Sequence, residues 1–231
     1  MILREVLPED YARLSTLASR LWHAAYDDIP EIGSAQVGYM LEKFQSVPAL
    51  TEQVSAHGYT YYFVEYGGKI AGYTGVKEEE DALFLSKLYL DPAFIGKGIG
   101  QKTLACVKMI AVSSRLARIY LTVNKHNKRA IAAYERFGFA RTEEAASDIG
   151  GGFVMAIIFI LTIFEKKNAP RQDAGRLYHS SFCSSAVSDG AISAAGSDKI
   201  SSVGAASAET TLRLIFFHLG RENTPRQMEI A

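Results

Sequence analysis

Two stretches of the sequence decide the expected fold: residues 96–100 read GKGIG, and residues 127–139 read NKRAIAAYERFGF. The first follows an apolar run, Leu83 to Leu90, and precedes a segment in which Leu104 and Val107 stand at helical spacing. Glycines allow a tight turn and the close approach of a ligand, and a helix start offers free N–H groups. The pattern predicts a strand, a phosphate- or pyrophosphate-binding loop and a helix.

The spacing of this loop excludes two common nucleotide sites. A Walker loop needs Gly-Lys followed at once by Ser or Thr, but Gln101 separates Gly100 from Lys102. A dinucleotide fingerprint needs G-x-G-x-x-G in an early βαβ unit, whereas this loop reads G-x-G-x-G after antiparallel strands. Taken alone, the loop is as compatible with a plain tight turn as with an anion site.

The second stretch predicts a helix that follows a strand at Arg118 to Val123. Asn127 can cap this helix, and Gly138 is a fitting residue for its end. Tyr134, if it reaches a site, can give a proton to a leaving thiolate, and its alternative role is core packing. Asn124 stands at the end of the preceding strand.

The remaining pattern predicts a mixed α/β sheet with helices packed on it. A helix is expected to start at Pro8 and run to about Tyr26, a second to be capped by Ser34, and a third to cover Pro48 to Ala56. The other strands are predicted at 2–6, 59–66, 70–76, 83–90, 139–143 and 153–164. Gly67-Gly68 is expected to form a hairpin turn.

Composition excludes several classes of protein. The chain has 231 residues, with 25 Lys and Arg against 25 Asp and Glu, and its pI near 7.0 argues against a dedicated nucleic-acid binder. Two cysteines make neither a disulfide framework nor a zinc site. The apolar run FVMAIIFILTIF at residues 153–164 is shorter than the roughly 20 residues of a spanning helix, so it is interpreted as a buried strand. With no apolar run at the N-terminus, a soluble cytoplasmic protein without membrane contact is expected.

The composition changes near Glu165. Of the 28 residues at 180–207, 19 are Ser, Ala or Gly, too few apolar groups to offset the chain entropy. The sequence therefore predicts a folded domain at 1–164 and a low-complexity, mostly disordered tail at 165–231. Within the tail, Thr211 to Leu219 is predicted as a short helix or strand.

Taken in order, the two stretches resemble the acetyl-CoA motifs of the GNAT superfamily of N-acetyltransferases. The superfamily pattern is Q/R-x-x-G-x-G/A followed by N-x-x-A-x-x-x-Y-x-x-x-G-F, and its second half is matched by Asn127, Ala130, Tyr134, Gly138 and Phe139. The resemblance covers roughly residues 1–155 and implies a mixed, mostly antiparallel central sheet flanked by helices. The runs LSKLYL, VNKHN and DIGGGFVM resemble the bacterial branch that includes PaiA-type polyamine N-acetyltransferases.

The resemblance implies roles toward acetyl-CoA as co-substrate. The backbone of Leu88, Tyr89 and Leu90 would pair with the pantetheine arm like an extra strand, and an N–H there would polarise the acetyl carbonyl. Asn124 and Asn127 would bind the cofactor beyond a splay between strands, and Tyr134 would protonate the departing thiolate. The pyrophosphate would be held by the backbone N–H groups of Gly96, Lys97, Gly98, Ile99, Gly100 and Gln101.

The acceptor is expected near WHAAYDDIPE at residues 22–31, which lines the acceptor pocket in this superfamily. Trp22, Tyr26, Asp27 and Asp28 are the candidate acceptor-binding residues, and the two acids would attract a cationic amine such as a polyamine. A solvated acidic loop is the alternative. The strand with Ser86 and Lys87 carries no carboxylate, so no general base is assigned, and no metal is implied.

The implied function is transfer of an acetyl group from acetyl-CoA to a primary amine of a small molecule, directly in a ternary complex. Three alternatives stay open: a peptide N-terminus or an amino-sugar drug as acceptor, a non-catalytic CoA-binding or regulatory module, or a structural protein whose tail acts as an adaptor. The oligomeric state is a separate question, for which a homodimer is one of the alternatives.

Two positions depart from the superfamily pattern. Ile95 stands where Arg or Gln is usual, which predicts weaker but not abolished cofactor binding. After Met155 the chain continues AIIFILTIFEKK, where relatives have acidic residues and a tyrosine. Codons for residues 156–165 exist that, in another frame, read Asp-Tyr-Ile-Tyr-Phe-Asp-Asn-Phe-stop, so residues from about 156 onward are hypothesised to be a frameshift product. The codons of the gene test this hypothesis.

Overall fold

A computed structural model provides the fold and describes residues 1–163. Short 3-10 turns at Pro8–Asp10 and Pro92–Phe94 precede two of the helices. The strands and helices follow one another as β1 (Ile2–Glu5), α1 (Tyr11–Tyr26), α2 (Gly33–Gln45), α3 (Val47–His57), β2 (Tyr59–Tyr66), β3 (Lys69–Glu78), β4 (Leu83–Leu90), α4 (Ile99–Ser113), β5 (Arg118–Asn124), α5 (Lys128–Phe137), β6 (Ala140–Gly150) and β7 (Phe153–Ile163).

The strands form one seven-stranded sheet in the order β1-β2-β3-β4-β5-β7-β6. All neighbouring strands are antiparallel except β4 and β5, which are parallel. This arrangement confirms the predicted mixed, mostly antiparallel sheet flanked by helices.

Helices cover both faces of the sheet, and each face has its own apolar core. On one face α1 packs on β2 and β3 through buried residues that include Leu14, Leu21, Tyr61, Phe63 and Tyr73. On the other face α4 and α5 pack on β4, β5 and β7 through residues that include Leu85, Leu104, Val107, Leu121 and Ile160. Each buried side chain of this size contributes about 1.5–3 kcal/mol, so the helices on both faces contribute strongly to the stability of the sheet.

The predicted start of the second helix is wrong. Ser34 does not cap α2, because the helix begins one residue earlier, at Gly33, with Ile32 as its N-cap. The amide groups of Ile32 and Gly33 both bond to the carbonyl of Ile29, at 3.0 and 3.2 Å. The chain is therefore already turning when it reaches Ser34, and no side-chain cap is needed.

Strand β7 forms where the apolar run predicts it. It pairs with β5 along seven residues and with β6 on its other edge, and Ile157, Ile158, Phe159 and Ile160 are buried.

The tail at 165–231 and its segment Thr211 to Leu219 lie outside the described residues. The frameshift hypothesis stays a prediction. Up to residue 163, no helix combines the length and apolar character needed to cross a membrane.

Candidate functional site

The glycine loop enters α4 through two residues in the left-handed region, Gly96 at φ +79° and Gly98 at φ +72°. Side chains rarely tolerate this backbone, which explains the glycines. The loop is shorter than predicted, because Gly98 is the N-cap and the amide of Lys102 makes a helical bond to its carbonyl at 3.1 Å. The N–H groups of residues 99–101 thus lie in the first turn of α4, where the helix dipole favours an anion.

The side chains of the loop are engaged elsewhere. Ile99 is buried, and Lys97 lies over the ring of Phe94 with its ammonium nitrogen 5.1 Å from the ring centroid. The Gln101 amide donates to the carbonyl of Ala133 at 2.8 Å and so ties α4 to α5. What the loop offers to an anion is therefore its backbone.

Strand β4 has an open edge beside this loop. Across residues 1–163, its ladder with β5 consists of two pairs, Leu83 with Ile119 and Phe84 with Tyr120. Beyond those pairs the strands diverge, while the β3 side of β4 stays paired as far as Leu90. Residues 88–90 therefore present backbone groups to the gap, where an extended ligand can pair as an added strand.

The two asparagines after β5 shape the entry to α5. The side-chain oxygen of Asn124, a buried residue, accepts from the amide of His126 at 2.9 Å. Asn127 caps α5 by accepting from the amide of Ala130 at 3.1 Å. Both oxygens are thus used inside the protein, and the Asn127 side chain also bonds to the Tyr26 hydroxyl. This leaves the Asn124 NH₂ group and the nearby backbone as the parts available to a ligand.

Tyr134 lies on α5 with 8% of its surface exposed and contacts Phe139 edge-on, with ring centroids 5.8 Å apart. Burial raises the pKa of the Tyr134 phenol, and the Tyr26 hydroxyl raises it further. The phenol therefore keeps its proton at neutral pH, as a proton donor must.

A cluster of aromatic side chains joins α1 to the β4 edge. The Tyr89 ring lies 5.3 Å from that of Trp22, 5.6 Å from that of Tyr73 and 6.2 Å from that of Tyr26. The hydroxyl oxygens of Tyr26 and Tyr89 are 3.0 Å apart. Burial raises the pKa values of both phenols, and a hydrogen bond with Asn127 lowers that of Tyr26 in part. The Tyr26 hydroxyl thus connects α1, β4 and the start of α5.

The acceptor candidates fall into two groups. Trp22 is buried and donates its indole N–H to the Tyr73 hydroxyl at 2.7 Å, so it stabilises the aromatic cluster and is not exposed to a ligand. Asp27 and Asp28 are exposed at the end of α1, and the Asp27 carboxylate lies 2.9 Å from Nδ1 of His23. The structure brings Tyr26 next to the cofactor candidates Tyr89 and Asn127, and it leaves the two acids exposed to solvent.

Two neighbouring features were missed by sequence reasoning. Tyr73 is the hydrogen-bond partner of Trp22, and its place on the α1 face follows from strand alternation. Glu31 reaches the loop before α5, with its carboxylate 3.6 Å from Nδ1 of His126. That contact joins residues 95 positions apart in the sequence, and no local sequence pattern predicts it.

Metal-binding side chains are not clustered in the described part of the chain: no group of three or more His, Cys, Asp or Glu residues there could hold an ion.

Comparison with known proteins assigns the family. Residues 16–139 match the family described as the acetyltransferase (GNAT) family, which is more than half of the chain. The chain therefore belongs to the GNAT acetyltransferase family, and the predicted acetyl-CoA-dependent acyltransferase activity is confirmed at this level.

Particular relatives agree with this assignment. The chain is 32% identical over 126 residues to an uncharacterized N-acetyltransferase, YjgM, of Escherichia coli, covering 51% of this chain and 75% of the relative. It is 31% identical over 115 residues to a spermine/spermidine N(1)-acetyltransferase of Bacillus subtilis, covering 46% of this chain and 74% of the relative. The crystal structure of a PaiA N-acetyltransferase from Thermoplasma acidophilum shares the fold, with a TM-score of 0.57 at 19% identity over 71% of this chain and 99% of that one. The predicted similarity to polyamine acetyltransferases is confirmed, while the cytoplasmic location and the homodimer stay predictions.

Proposed function

We propose that the protein transfers the acetyl group of acetyl-CoA to the primary amine of a small molecule by direct attack in a ternary complex. The observation that carries the proposal is the open edge of β4 beside the first turn of α4. A polyamine is the first acceptor to test, because a relative from Bacillus subtilis is named a spermine/spermidine N(1)-acetyltransferase.

In this proposal the cofactor lies across the gap between β4 and β5. The backbone of residues 88–90 pairs with the pantetheine arm, and the N–H groups of residues 96–101 hold the pyrophosphate. Asn124 and Asn127 lie on the far side of the gap, where Asn124 contacts the cofactor through its NH₂ group and Asn127 through its backbone. A backbone N–H of β4 polarises the acetyl carbonyl and stabilises the negative charge that develops on its oxygen.

Tyr134 is proposed to protonate the sulfur as the thiolate leaves. A phenol with a raised pKa is a weak acid, so its proton must be replaced as it is lost. The attacking nitrogen becomes a strong acid once it has bonded to the carbonyl carbon, and it can supply that proton. Tyr26 and Tyr89, whose hydroxyl oxygens are 3.0 Å apart, are suited to pass it toward Tyr134.

Neutralising the acids at the end of α1 is expected to weaken polyamine binding selectively. Asp27→Asn and Asp28→Asn should each raise the KM for a polyamine about two- to fivefold, because each exposed charge contributes about 0.5–1 kcal/mol. The KM for a monoamine, which lacks the second positive charge, should change less. Steady-state kinetics with both amines measure the difference.

The matched control is Glu52→Gln, since Glu52 also forms an exposed pair with a histidine, His57, at 3.4 Å. This variant should leave both KM values unchanged. An equal rise for all amines in the Asp27 and Asp28 variants would count against a polyamine acceptor.

Replacing Ile95 by Arg is expected to tighten acetyl-CoA binding. Ile95 is partly exposed and precedes Gly96, so a guanidinium there would add a charge-assisted bond to the pyrophosphate. We expect the calorimetric Kd to fall about three- to tenfold, or about 0.7–1.4 kcal/mol. Leu7→Arg adds the same charge at an exposed apolar residue and controls for net charge. An unaltered Kd in Ile95→Arg would disprove the expectation that Ile95 weakens acetyl-CoA binding.

The proposed function is tested by calorimetric binding of acetyl-CoA to the full chain, followed by a thiol-release assay with polyamines, monoamines, amino-sugars and a peptide N-terminus. Binding with turnover of one amine class supports the proposal and identifies the acceptor. Binding without turnover of any amine would favour the non-catalytic CoA-binding module. A folded chain that binds no acetyl-CoA would refute both.

A further inference from the structure

A β-bulge in β4 lies immediately before the open edge. Lys87 pairs with Gly75 and Leu85 pairs with Val76, so Ser86 is the extra residue of the bulge. The ammonium nitrogen of Lys87 donates to the Ser86 hydroxyl at 2.7 Å, which brings the two side chains together.

Lys87 shares its side of the sheet with the aromatic cluster. Leu88 packs against the core beneath α4 and α5, whereas Tyr89 packs against the core beneath α1. Because side chains alternate along a strand, Lys87 lies on the Tyr89 face, together with Tyr26 and Trp22. This is the face from which the proposed acceptor would approach.

The surroundings of Lys87 favour its neutral form. The side chain is partly buried, and no acid among residues 1–163 forms an ion pair with it. Its partner across the strand, Gly75, has no side chain and lies under the ring of Tyr61. Burial lowers the pKa of Lys87 to about 8, so the amine that can act as a nucleophile is well populated near neutral pH.

We propose that Lys87 is itself an acetyl acceptor, which takes the acetyl group from acetyl-CoA bound to the same chain when no amine substrate is present. The inference rests on the proposed function, because it requires the thioester at the open edge of β4. A thioester paired with residues 88–90 lies about one strand spacing, ~4.8 Å, across from β4 and about one to three residues, ~3.3 Å each, along it from Lys87. The Lys87 side chain can reach the near end of that range, beside Leu88, once its ammonium nitrogen leaves the Ser86 hydroxyl.

The transfer needs no further reactant. The lone pair of the Lys87 nitrogen attacks the acetyl carbonyl carbon and a C–N bond forms. The C–S bond then breaks, and its electron pair leaves with the sulfur. The nitrogen loses one proton, which passes through Tyr134 to the thiolate, so the products are N-acetyl-lysine and free CoA.

The test is site-resolved mass spectrometry of the full chain after incubation with acetyl-CoA alone. We expect one acetyl group on Lys87, formed at a rate that does not depend on protein concentration and that falls when excess CoA occupies the site. The rate should rise from pH 7 to about pH 8 and then level off, because only the neutral amine reacts. Lys87→Arg keeps the positive charge but should show no acetylation at this position.

Exposed Lys69 reports the background of uncatalysed acetylation. Acetylation of Lys87 no faster than that of Lys69 would overturn the inference. So would an unmodified Lys87 in a preparation that turns over an amine in the thiol-release assay, and in that case the proposed function would stand. If the chain neither binds acetyl-CoA nor turns over any amine, both proposals are wrong. Circular dichroism of Lys87→Arg establishes that the variant is folded.

Discussion

Replacing Tyr134 by Phe is expected to lower kcat about 100- to 10,000-fold, the range usual for loss of a general acid. The change removes one hydroxyl and keeps the ring that packs against Phe139. Because the phenol acts on the sulfur only as the thiolate leaves, the Kd for acetyl-CoA should stay near the wild-type value. Thiol-release kinetics and calorimetry on the same preparation separate the two quantities.

Tyr11→Phe is the matched control, since Tyr11 is also a buried phenol and lies at the opposite end of α1 from Tyr26. This variant should keep the wild-type kcat. A Tyr134→Phe enzyme whose kcat stays within about threefold of wild type would remove the phenol from the mechanism. A parallel loss of kcat and acetyl-CoA affinity would indicate a structural role instead.

The pH dependence provides a second check on Tyr134. An acid acts in its protonated form, and burial raises the pKa of this phenol above its ordinary value of about 10. The acid form therefore persists throughout the usual assay range. We expect no loss of kcat from this group below about pH 10, and a descending limb near pH 8 would have to come from another residue.

Most of the fold could be predicted because its signals are local. Strands β2 and β4 have the bounds that the sequence predicts, since each is an apolar or aromatic run ended by turn residues. Strand β6 was expected to end at Glu143 but runs to Gly150. Its sequence, ARTEEAASDIG, has little strand preference, and its pairing with the apolar β7 overrides that preference.

The candidate site could be predicted only where one stretch of chain supplies it. The glycine loop and the asparagine cap of α5 are local features, and both form where the sequence predicts them, although the loop is shorter because α4 begins at Ile99. The contact between Tyr26 and Tyr89 joins residues 63 apart and depends on how α1 docks on the sheet. The position of Lys87 depends on the bulge at Ser86, which shifts the alternation by one residue and leaves no mark in the sequence.

Replacing Gly72 by Ala is expected to destabilise the protein and to weaken acetyl-CoA binding at the same time. A Cβ at Gly72 would overlap the carbonyl oxygen of Tyr89 and lie 2.9 Å from Cα of Leu90. Both contacts are backbone atoms of β4, so neither can move away by a side-chain rotation. The strand that is proposed to bind the pantetheine arm must shift or separate from β3, at a cost of about 3 kcal/mol or more.

Substitutions of two other glycines by Ala are expected to change the stability by different amounts and serve as comparisons. Gly75→Ala would place its Cβ 2.6 Å from the ring of Tyr61, which is buried and hydrogen-bonded to Gln53. This variant should therefore also be destabilised, but without displacing the backbone of β4. Gly38 lies in α2, and a Cβ added there would have no atom within 4 Å, so Gly38→Ala should stabilise the chain by up to about 1 kcal/mol.

Thermal unfolding and acetyl-CoA calorimetry on the three variants measure the series. We expect the unfolding midpoint of Gly72→Ala to fall by about 6–12 °C, and that of Gly38→Ala to rise by a few degrees. At a temperature where Gly72→Ala is still folded, its Kd should be raised because β4 no longer holds its edge in place. Wild-type affinity in a destabilised Gly72→Ala would mean that the cofactor does not pair with residues 88–90, since the same methyl group displaces that backbone.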